Sequence, residues 1–398
     1  MTSYDVNRVR RDFPALDCGT AFFDGPGGSQ APRQVADAIA GSLTAGMSNR
    51  GRLTATERAA DDIVLAARGA VADLVAGDPA GVVFGRSMTA LTYQLSRALA
   101  KQWGTGDEVV VTSLDHDANI RPWVQAAGSA GARVRWAELV PETGELPVEA
   151  VTDQLSDRTR LVAVTGASNL IGTRPDVAAI SRAAHAVGAL VYLDGVHLTP
   201  HAPVDIAALG ADFYAASPYK FLGPHLGLVA ADPALLQTLW PDKLLPATDD
   251  VPERFEFGTL PYELLAGVTA AVDFLAELVP GTGARRDRLM ASMTALEAYE
   301  DGMRDRLEAG LSADSRIRLY GRAAHRTPTV LFTIAGTAPA EVAQRLADAD
   351  INAPADSFYA LEAAQRLGLG EPGGVRAGIA PYTTAEDVDR LLAVVAAL

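Results

Sequence analysis

Short apolar runs alternate with amphipathic stretches between about residues 55 and 275 of the chain. Most runs contain β-branched or aromatic residues and several end in Gly, Asp or Ser, which is typical of buried strands that lead into loops. The stretches between them, such as 176–188, have apolar residues at helical spacing. Alternating strands and helices predict a mainly parallel sheet with helices on both faces. The predicted strands are 82–84, 108–114, 132–139, 160–166, 189–195, 211–217 and 226–232.

The pattern changes after about residue 275. A long helical stretch over 284–311 precedes a strand-like run at 327–336, and a second helical pattern, a loop, the strand-like segment 374–382 and a final helix follow. This mixture predicts a smaller α+β domain. We therefore divide the chain into an N-terminal segment that packs on the small domain, a large α/β domain and the small C-terminal domain, with boundaries 1–20, 21–275 and 276–398.

Composition excludes several classes of function. The formal net charge is −15 and the sequence pI is about 4.8, so an acidic surface would repel nucleic acid. The single cysteine, Cys18, excludes an intramolecular disulfide and a cysteine-rich metal site, and we expect no bound metal. The sequence has neither an apolar signal core near its start nor a run of about 20 apolar residues, so we expect a cytoplasmic protein without a membrane span.

Polar residues that follow the predicted strands carry the candidate chemistry, because ligands bind at the carboxyl ends of such strands. Asp194 closes one strand, and Lys220 follows the next beside Tyr219 and Phe221. Apolar neighbours lower the pKa of an amine, which favours imine formation. A lysine that forms a Schiff base and an aspartate that pairs with a pyridine nitrogen together predict a pyridoxal 5′-phosphate (PLP) site. The hydroxyl of Ser217, three residues before the lysine, is placed to contact the cofactor phosphate.

Other strand ends supply groups that suit the same cofactor. The strand 82–84 leads through a turn into a helix, whose start favours an anion, with Ser87 and Thr89 as added hydroxyl donors. We expect His116 to stack on the pyridine ring, Asn169 to donate to the phenolic oxygen and His197 to contact the same edge as Asp194. Each residue alone also fits an ordinary role as a helix cap or structural residue. Their joint placement favours the cofactor site.

Several motifs occur together in an order that resembles a known family. FFDGPGGSQAP at 22–32, LDHDANIRPW, SNLIGT, DGVHLTPH and SPYKFLGP resemble class V aminotransferases of PLP fold type I, in the cysteine desulfurase-like branch. The resemblance extends to PYTTAEDVDRLL at 381–392, and it implies a homodimer with shared active sites. In RFEFGTLPYE it implies that Thr259 reaches the phosphate of the partner subunit. In GVRAGIAPY it implies that Arg376 binds the substrate carboxylate.

The sequence also departs from this family at positions that bear on the reaction. Segment 351–369 corresponds to the loop that carries the persulfide-forming cysteine, and it contains no cysteine. The family's histidine before the lysine is Tyr219 here, its glutamine after the aspartate is His197, and one hydroxyl residue of the phosphate turn is Met88. We therefore expect a retained cofactor site with altered substrate chemistry, in which Tyr359 shapes the substrate pocket.

Three classes of function remain open. The first is an enzyme in which Lys220 removes the Cα proton of a small amino acid before β-elimination, such as C–S cleavage, with His116 and Tyr219 as further catalytic residues. The second is an aminotransferase or amino-acid epimerase, with Tyr219, Tyr359 or His197 as the additional acid. The third is a PLP-binding protein without activity. A true cysteine desulfurase is disfavoured because segment 351–369 contains no cysteine. A nicotinamide dehydrogenase is disfavoured because no Gly-x-Gly-x-x-Gly motif follows an early strand.

Overall fold

The computed structural model describes residues 4–398 as interleaved helices and strands. The strands are β1 (Ala21–Phe22), β2 (Val82–Gly85), β3 (Glu108–Thr112), β4 (Arg133–Ala137), β5 (Thr159–Thr165), β6 (Leu190–Asp194), β7 (Phe213–Ala216), β8 (Gly227–Ala231), β9 (Ile317–Tyr320), β10 (Thr329–Ile334), β11 (Ile351–Asn352), β12 (Ala355–Asp356) and β13 (Gly374–Gly378). The helices are α1 (Val6–Arg10), α2 (Arg33–Thr44), α3 (Ala55–Val75), α4 (Met88–Ala100), α5 (Arg121–Ala130), α6 (Val148–Thr152), α7 (Val177–Ala186), α8 (Ile206–Leu209), α9 (Pro233–Gln237), α10 (Tyr262–Ala276), α11 (Arg285–Ser312), α12 (Pro339–Ala347), α13 (Leu361–Arg366) and α14 (Ala385–Ala396).

A seven-stranded sheet forms the centre of the large domain, in the order β2-β8-β7-β6-β5-β3-β4. Strand β8 runs antiparallel to both of its neighbours, and the other pairings are parallel. Buried apolar side chains cover both faces, with α3, α7 and α10 contributing to one layer and α4 and α5 to the other. The mainly parallel, seven-stranded α/β sheet predicted from the sequence is therefore confirmed, with β8 as the antiparallel member.

The C-terminal part of the chain builds a second, antiparallel sheet in the order β12-β13-β10-β9. Helices α11, α12 and α14 pack around it and share one apolar cluster with its strands. Strand β1 pairs in parallel with β11, which attaches Ala21 and Phe22 to this C-terminal part. The three strands β9, β11 and β12 were not predicted from the sequence, because runs of two to four residues show no clear alternation.

The N-terminal segment contacts residues from the end of the chain. The Tyr4 hydroxyl donates to the carbonyl of Pro381, and Arg10 forms an ion pair of 2.9 Å with Asp387 at the start of α14. The ring of Tyr4 also stacks on Tyr299 of α11, with centroids 4.7 Å apart. These contacts support the proposed packing of this segment on the small domain. The boundaries between the segment and the two domains, at residues 20 and 275, stay proposals.

The register of the large sheet determines where polar side chains meet. Thr165 of β5 pairs with Asp194 of β6, and Asp194 pairs with Ala215 of β7, so three strands end side by side. Within residues 4–398, no helix is both long and apolar enough to cross a membrane. The same residues contain no cluster of three or more His, Cys, Asp or Glu side chains arranged for a metal ion.

Candidate active site

A cavity of about 570 Å³ lies where the carboxyl ends of the large sheet face the C-terminal sheet. Loops after β2, β3, β5, β6 and β7 line one side, and β13 with the loop after β12 lines the other. All but one of the predicted site residues lie in its wall. These are Ser87, Met88, Thr89, His116, Asn169, Asp194, His197, Ser217, Tyr219, Lys220, Tyr359 and Arg376.

Lys220 ends a short 3₁₀ turn after β7, and its side chain is partly buried in the cavity wall. Burial and the nearby Arg376 cation lower the pKa of the Lys220 amine to about 7. The amine donates a hydrogen bond to the carbonyl of Pro26, so a residue near the start of the chain holds the amine in position. A neutral amine at physiological pH is the form that can attack a carbonyl group or accept a proton.

Asp194 lies at the end of β6 with 4% of its surface exposed. One of its oxygens accepts a hydrogen bond of 2.9 Å from the backbone N–H of Val196. Burial nevertheless raises the pKa of Asp194 to about 6. A buried carboxylate of this kind is stabilised by a cationic partner, and a protonated pyridine nitrogen supplies such a charge.

The start of α4 forms one end of the cavity and offers groups that suit an anion. Ser87 caps the helix, and its hydroxyl accepts a hydrogen bond of 3.1 Å from Ala90 N–H. The first N–H groups of a helix have no partner within it, so those of Met88 and Thr89 are available to a phosphate. Strand β8 passes close behind: a Cβ on Gly227 would lie 2.0 Å from the backbone nitrogen of Met88. Glycine at this position therefore allows the strand to support the phosphate turn.

His116 forms part of the cavity wall at the end of β3. Its Nδ1 accepts a hydrogen bond of 3.0 Å from Ala118 N–H, which fixes the ring orientation. Burial, together with the charges of Lys220 and Arg376, lowers the pKa of His116 to about 4. The ring is therefore neutral at physiological pH, as a stacking partner for a protonated pyridine ring requires.

Arg376 of β13 is 2% exposed and extends into the cavity from the C-terminal sheet. Its Nη1 donates a hydrogen bond of 2.9 Å to the Asn169 carbonyl, and its Cζ lies 3.6 Å from the ring centroid of Phe358. Three buried polar atoms around it have no protein partner among residues 4–398: Arg376 Nε, Asn169 Oδ1 and Asp24 Oδ1. Buried polar groups are nearly always hydrogen-bonded, so these atoms indicate a polar ligand.

The loop between β12 and α13 closes over the cavity in an uncommon backbone conformation. Phe358 and Tyr359 have φ angles of 54° and 58°, a region that non-glycine residues seldom adopt. The Phe358 carbonyl accepts a hydrogen bond of 2.9 Å from Asn169 Nδ2, and the Tyr359 carbonyl accepts one of 2.7 Å from Asp117 N–H. These two hydrogen bonds hold the loop against the large domain. The Tyr359 side chain is 75% exposed, and its ring centroid is 5.6 Å from that of His116.

Two carboxyl groups near the cavity were not predicted. Asp24 follows β1, and its Oδ2 accepts a hydrogen bond of 2.7 Å from Asn352. Its negative charge favours the positive charge of Arg376. Asp115 is fully buried, accepts hydrogen bonds from Thr112 and Asn119, and burial raises its pKa to about 8. The aspartate at the start of DGPGG and the one beside His116 were available sequence signals, and Asp115 directly follows the predicted strand 108–114.

Thr259 is exposed and does not line the cavity of its own chain. Its predicted role stays a prediction.

The fold and the cavity agree with the comparisons with known proteins. The family model "Aminotransferase class-V" matches residues 21–391. The Mycobacterium tuberculosis protein MT3887 is 38% identical over 100% of both chains, and a cysteine desulfurase of Klebsiella pneumoniae is 31% identical over 98% of this chain and 97% of its own. The crystal structure of an Escherichia coli cysteine desulfurase superposes with a TM-score of 0.86 at 27% identity, covering 99% of this chain and 98% of the other. The chain belongs to the class V aminotransferase family.

Members of this family use PLP, and the protein is accordingly a PLP-dependent enzyme of the cysteine desulfurase-like branch. The cavity fits the cofactor on observations of this chain alone. A partly buried amine with a lowered pKa, a buried carboxylate and a helix start lie on neighbouring strand ends. Lys220, Asp194 and the residues of the phosphate turn are the groups that would hold the aldehyde, the ring nitrogen and the phosphate.

The lowered pKa of Lys220 predicts the pH dependence of PLP capture by cofactor-free protein. Since only the neutral amine attacks the aldehyde, the rate constant for capture should rise about tenfold per pH unit below pH 7 and level off above it. Visible absorbance after rapid mixing measures this rate. Lys220→Ala should show no capture, whereas Lys101→Ala and Lys243→Ala should retain it. A midpoint near the ordinary lysine value of about 10.4 would show that the amine is not desolvated.

Proposed function

We propose that the enzyme acts on a small amino acid and eliminates a leaving group, such as a thiol or sulfide, from its Cβ without a persulfide intermediate on the protein. The observation that carries this proposal is the position of the partly buried Lys220 amine in a cavity whose closing loop offers no thiol. That loop contributes Asp356, Phe358 and Tyr359 to the cavity wall.

The polar groups of the cavity have distinct roles in this reaction. The two-pronged guanidinium of Arg376 binds the substrate α-carboxylate. The free amine of Lys220 accepts the Cα proton, since its lowered pKa of about 7 favours the neutral form that acts as a base. PLP, when bound, supplies an electron sink for the pair left by that proton, and Asp194 supports this by keeping the ring nitrogen protonated.

The elimination balances without any further group from the protein. The Cα–H bond breaks and its proton goes to Lys220, while the Cβ–leaving group bond breaks with its electron pair departing on the leaving group. A Cα–Cβ double bond forms, and hydrolysis of the released enamine product yields a 2-keto acid and ammonia. No step requires a protein thiolate, and no oxidant or second substrate enters.

The only cysteine of the chain supports the same conclusion. Cys18 is exposed, its thiol donates a hydrogen bond of 3.0 Å to the carbonyl of Ala15, and it is not among the residues that line the cavity. A thiolate that attacks a substrate sulfur must approach to roughly 3–3.5 Å. Persulfide formation at Cys18 therefore has no support in this arrangement.

Tyr219 favours a second candidate function, transamination or epimerisation. Its ring stacks on His225, with centroids 4.7 Å apart and planes inclined by 11°, and the side chain lines the cavity beside Lys220. Burial raises the pKa of its phenol, so the hydroxyl stays protonated at physiological pH. A second acid in this position can donate a proton to a different atom, or to the opposite face of Cα, from the one that Lys220 protonates.

Product analysis tests elimination directly. With cysteine, S-substituted cysteines and other amino acids that have a leaving group on Cβ, the enzyme should release keto acid, ammonia and leaving group in equal amounts. It should need no added 2-keto acid. A strict requirement for a 2-keto acid acceptor would instead identify an aminotransferase, and inversion of the Cα centre without loss of the Cβ substituent would identify an epimerase.

The variant Cys18→Ser separates elimination from desulfuration within the same assay. Because the exposed thiol contributes nothing to the proposed reaction, the rate should remain unchanged. Loss of activity, accompanied by a persulfide on Cys18 in the wild-type protein after treatment with cysteine, would restore the desulfurase mechanism.

Arg376→Ala should weaken substrate binding far more than cofactor binding. Losing one member of a buried charge interaction costs on the order of 3–5 kcal/mol, so KM for the amino acid should rise at least about 100-fold. PLP titration should give a nearly unchanged affinity. Arg366→Ala is the matched control, because Arg366 forms an exposed ion pair with Glu138 that is worth about 0–1 kcal/mol. Equal KM values in the two variants would refute the role of Arg376.

We propose further that the enzyme is a homodimer in which Thr259 completes the phosphate site of the partner subunit. Large apolar side chains are exposed in the segment before Thr259: Trp240, Leu244, Leu245 and Phe257. Exposed apolar patches of this kind often mark protein interfaces. Such an interface would bring the exposed Thr259 of one subunit towards the other.

Mixing two inactive variants tests this sharing of sites. In a heterodimer of Lys220→Ala and Thr259→Ala chains, one site receives both its lysine and the partner's threonine intact. Activity should therefore return to about half that of the wild type per heterodimer after subunit exchange. If Thr259 acts within its own chain, mixing restores nothing, and a fully active monomer in sedimentation would contradict the dimer.

A further inference from the structure

His197 faces the cavity but is held from behind by the C-terminal sheet. The imidazole lines the cavity together with Asp194 and Lys220, and its side chain is 3% exposed. Its Nε2 lies 2.8 Å from the hydroxyl of Thr329, the first residue of β10. The hydrogen bond with Thr329 is the only one that the ring forms with the described residues 4–398, so Nδ1 forms none with them. The ring therefore joins the small sheet to the cofactor cavity.

The imidazole of His197 carries one ring proton. Burial lowers the pKa of His197 well below its ordinary value, and the charges of His201, Arg376 and Lys220 lower it further. A neutral imidazole has one N–H donor and one acceptor nitrogen, and the partner of either nitrogen fixes the role of the other. The direction of the hydrogen bond with Thr329 therefore determines which nitrogen donates into the cavity.

The surroundings of Thr329 decide this direction. The side chain is fully buried, and its hydroxyl has His197 as its sole hydrogen-bond partner within the described part of the chain. If the hydroxyl accepted a hydrogen bond from Nε2–H, its own proton would be buried without an acceptor, which is costly. If it donates to Nε2 instead, the hydroxyl proton and Nε2 are both paired, the imidazole proton lies on Nδ1, and this N–H is left to donate into the cavity that His197 lines.

A second contact restrains the plane of the ring. His201 packs against His197 edge to face, with ring centroids 5.0 Å apart and planes inclined by 73°. The Nδ1 of His201 lies 2.8 Å from Oε2 of Glu300, a residue of α11 that is fully buried. The histidine pair is thus anchored to the C-terminal part of the chain at both ends, by Glu300 and by Thr329.

We propose that Thr329 is a positioning residue that fixes His197 in the Nδ1–H tautomer, so that His197 donates a hydrogen bond into the cavity. The acceptor would be the phenolic oxygen of PLP, and this assignment of the acceptor rests on the proposed function. Thr329 lies on the strand next to β13, which carries Arg376. The same sheet therefore contributes the group that binds the substrate and the group that orients His197.

The tautomer is measurable without turnover, by NMR of the full-length protein with ¹⁵N-labelled histidine. The His197 signals are those missing from His197→Asn. In wild type and in Thr329→Ser, which keeps the hydroxyl, the proton should lie on Nδ1. In Thr329→Val, which keeps the shape but loses the donor, the proton should move wholly or partly to Nε2. Thr333→Val, on the same strand but bonded to Tyr320, is the control and should leave His197 unchanged.

PLP titration of the same variants tests the consequence for the cofactor. Thr329→Val should raise the dissociation constant of PLP about tenfold, since one hydrogen bond to a charged acceptor is weakened, and Thr329→Ser should restore it. A proton on Nε2 in the wild type, or an Nδ1 proton retained in Thr329→Val, would overturn the proposal. If the NMR result is as expected but no form binds PLP, the proposed function fails while the role of Thr329 stands.

Discussion

Four charged side chains share one buried region between the two sheets, and the cost of removing them from water governs the site. Lys220 and Arg376 are the cations, and Asp194 and Asp24 are the carboxylates. Burial lowers the pKa of Lys220 and raises those of Asp194 and Asp24, so each of these groups is shifted towards its neutral form. A cofactor with a phosphate and a protonated ring, and a substrate with a carboxylate, would offset the free-energy cost of burying these charges. The same desolvation prepares Lys220 to act as a nucleophile and a base.

The loop of residues 356–359 bears on the proposed elimination, because it lines the cavity without a thiol. Its backbone is held in place by Asn169 and Asp117, through carbonyls of two residues with positive φ angles. Such conformations persist when the surrounding structure over-determines them. Here the loop places the ring of Phe358 with its centroid 3.6 Å from Cζ of Arg376, which restrains the guanidinium. Under the proposed function, the loop would thereby orient the group that binds the substrate carboxylate, a role that needs no thiol.

The sequence predicted the parts of the site that depend on local pattern. Asp194, Lys220 and His116 each follow a strongly apolar run, and parallel strands bring their carboxyl ends to one edge of a sheet. Asp24 and Thr329 were not predicted, because their importance comes from contacts between distant segments. Asp115 was overlooked although it directly follows a predicted strand and its hydrogen bonds are to the nearby Thr112 and Asn119. Asp24 pairs with Asn352 and Thr329 with His197, at separations of 328 and 132 residues. Strands β11 and β12 were missed for a related reason: each is two residues long and exists only because a partner strand accepts it.

The C-terminal sheet therefore does more than cover the cavity. The pairing of Leu331 on β10 with Arg376 on β13 fixes where the guanidinium lies along the strand. Two residues earlier on β10, the hydroxyl of Thr329 contacts His197. Since neighbouring strands shift together, any movement of this sheet against the large domain changes the carboxylate site and the His197 contact at once. Asp24 adds to the same coupling, because it bridges to Gly378 at the end of β13 while its side chain bonds Asn352. Under the proposed function, substrate binding at Arg376 would thereby be linked, through a sheet rather than through a single side chain, to the hydrogen bond that His197 donates to the cofactor.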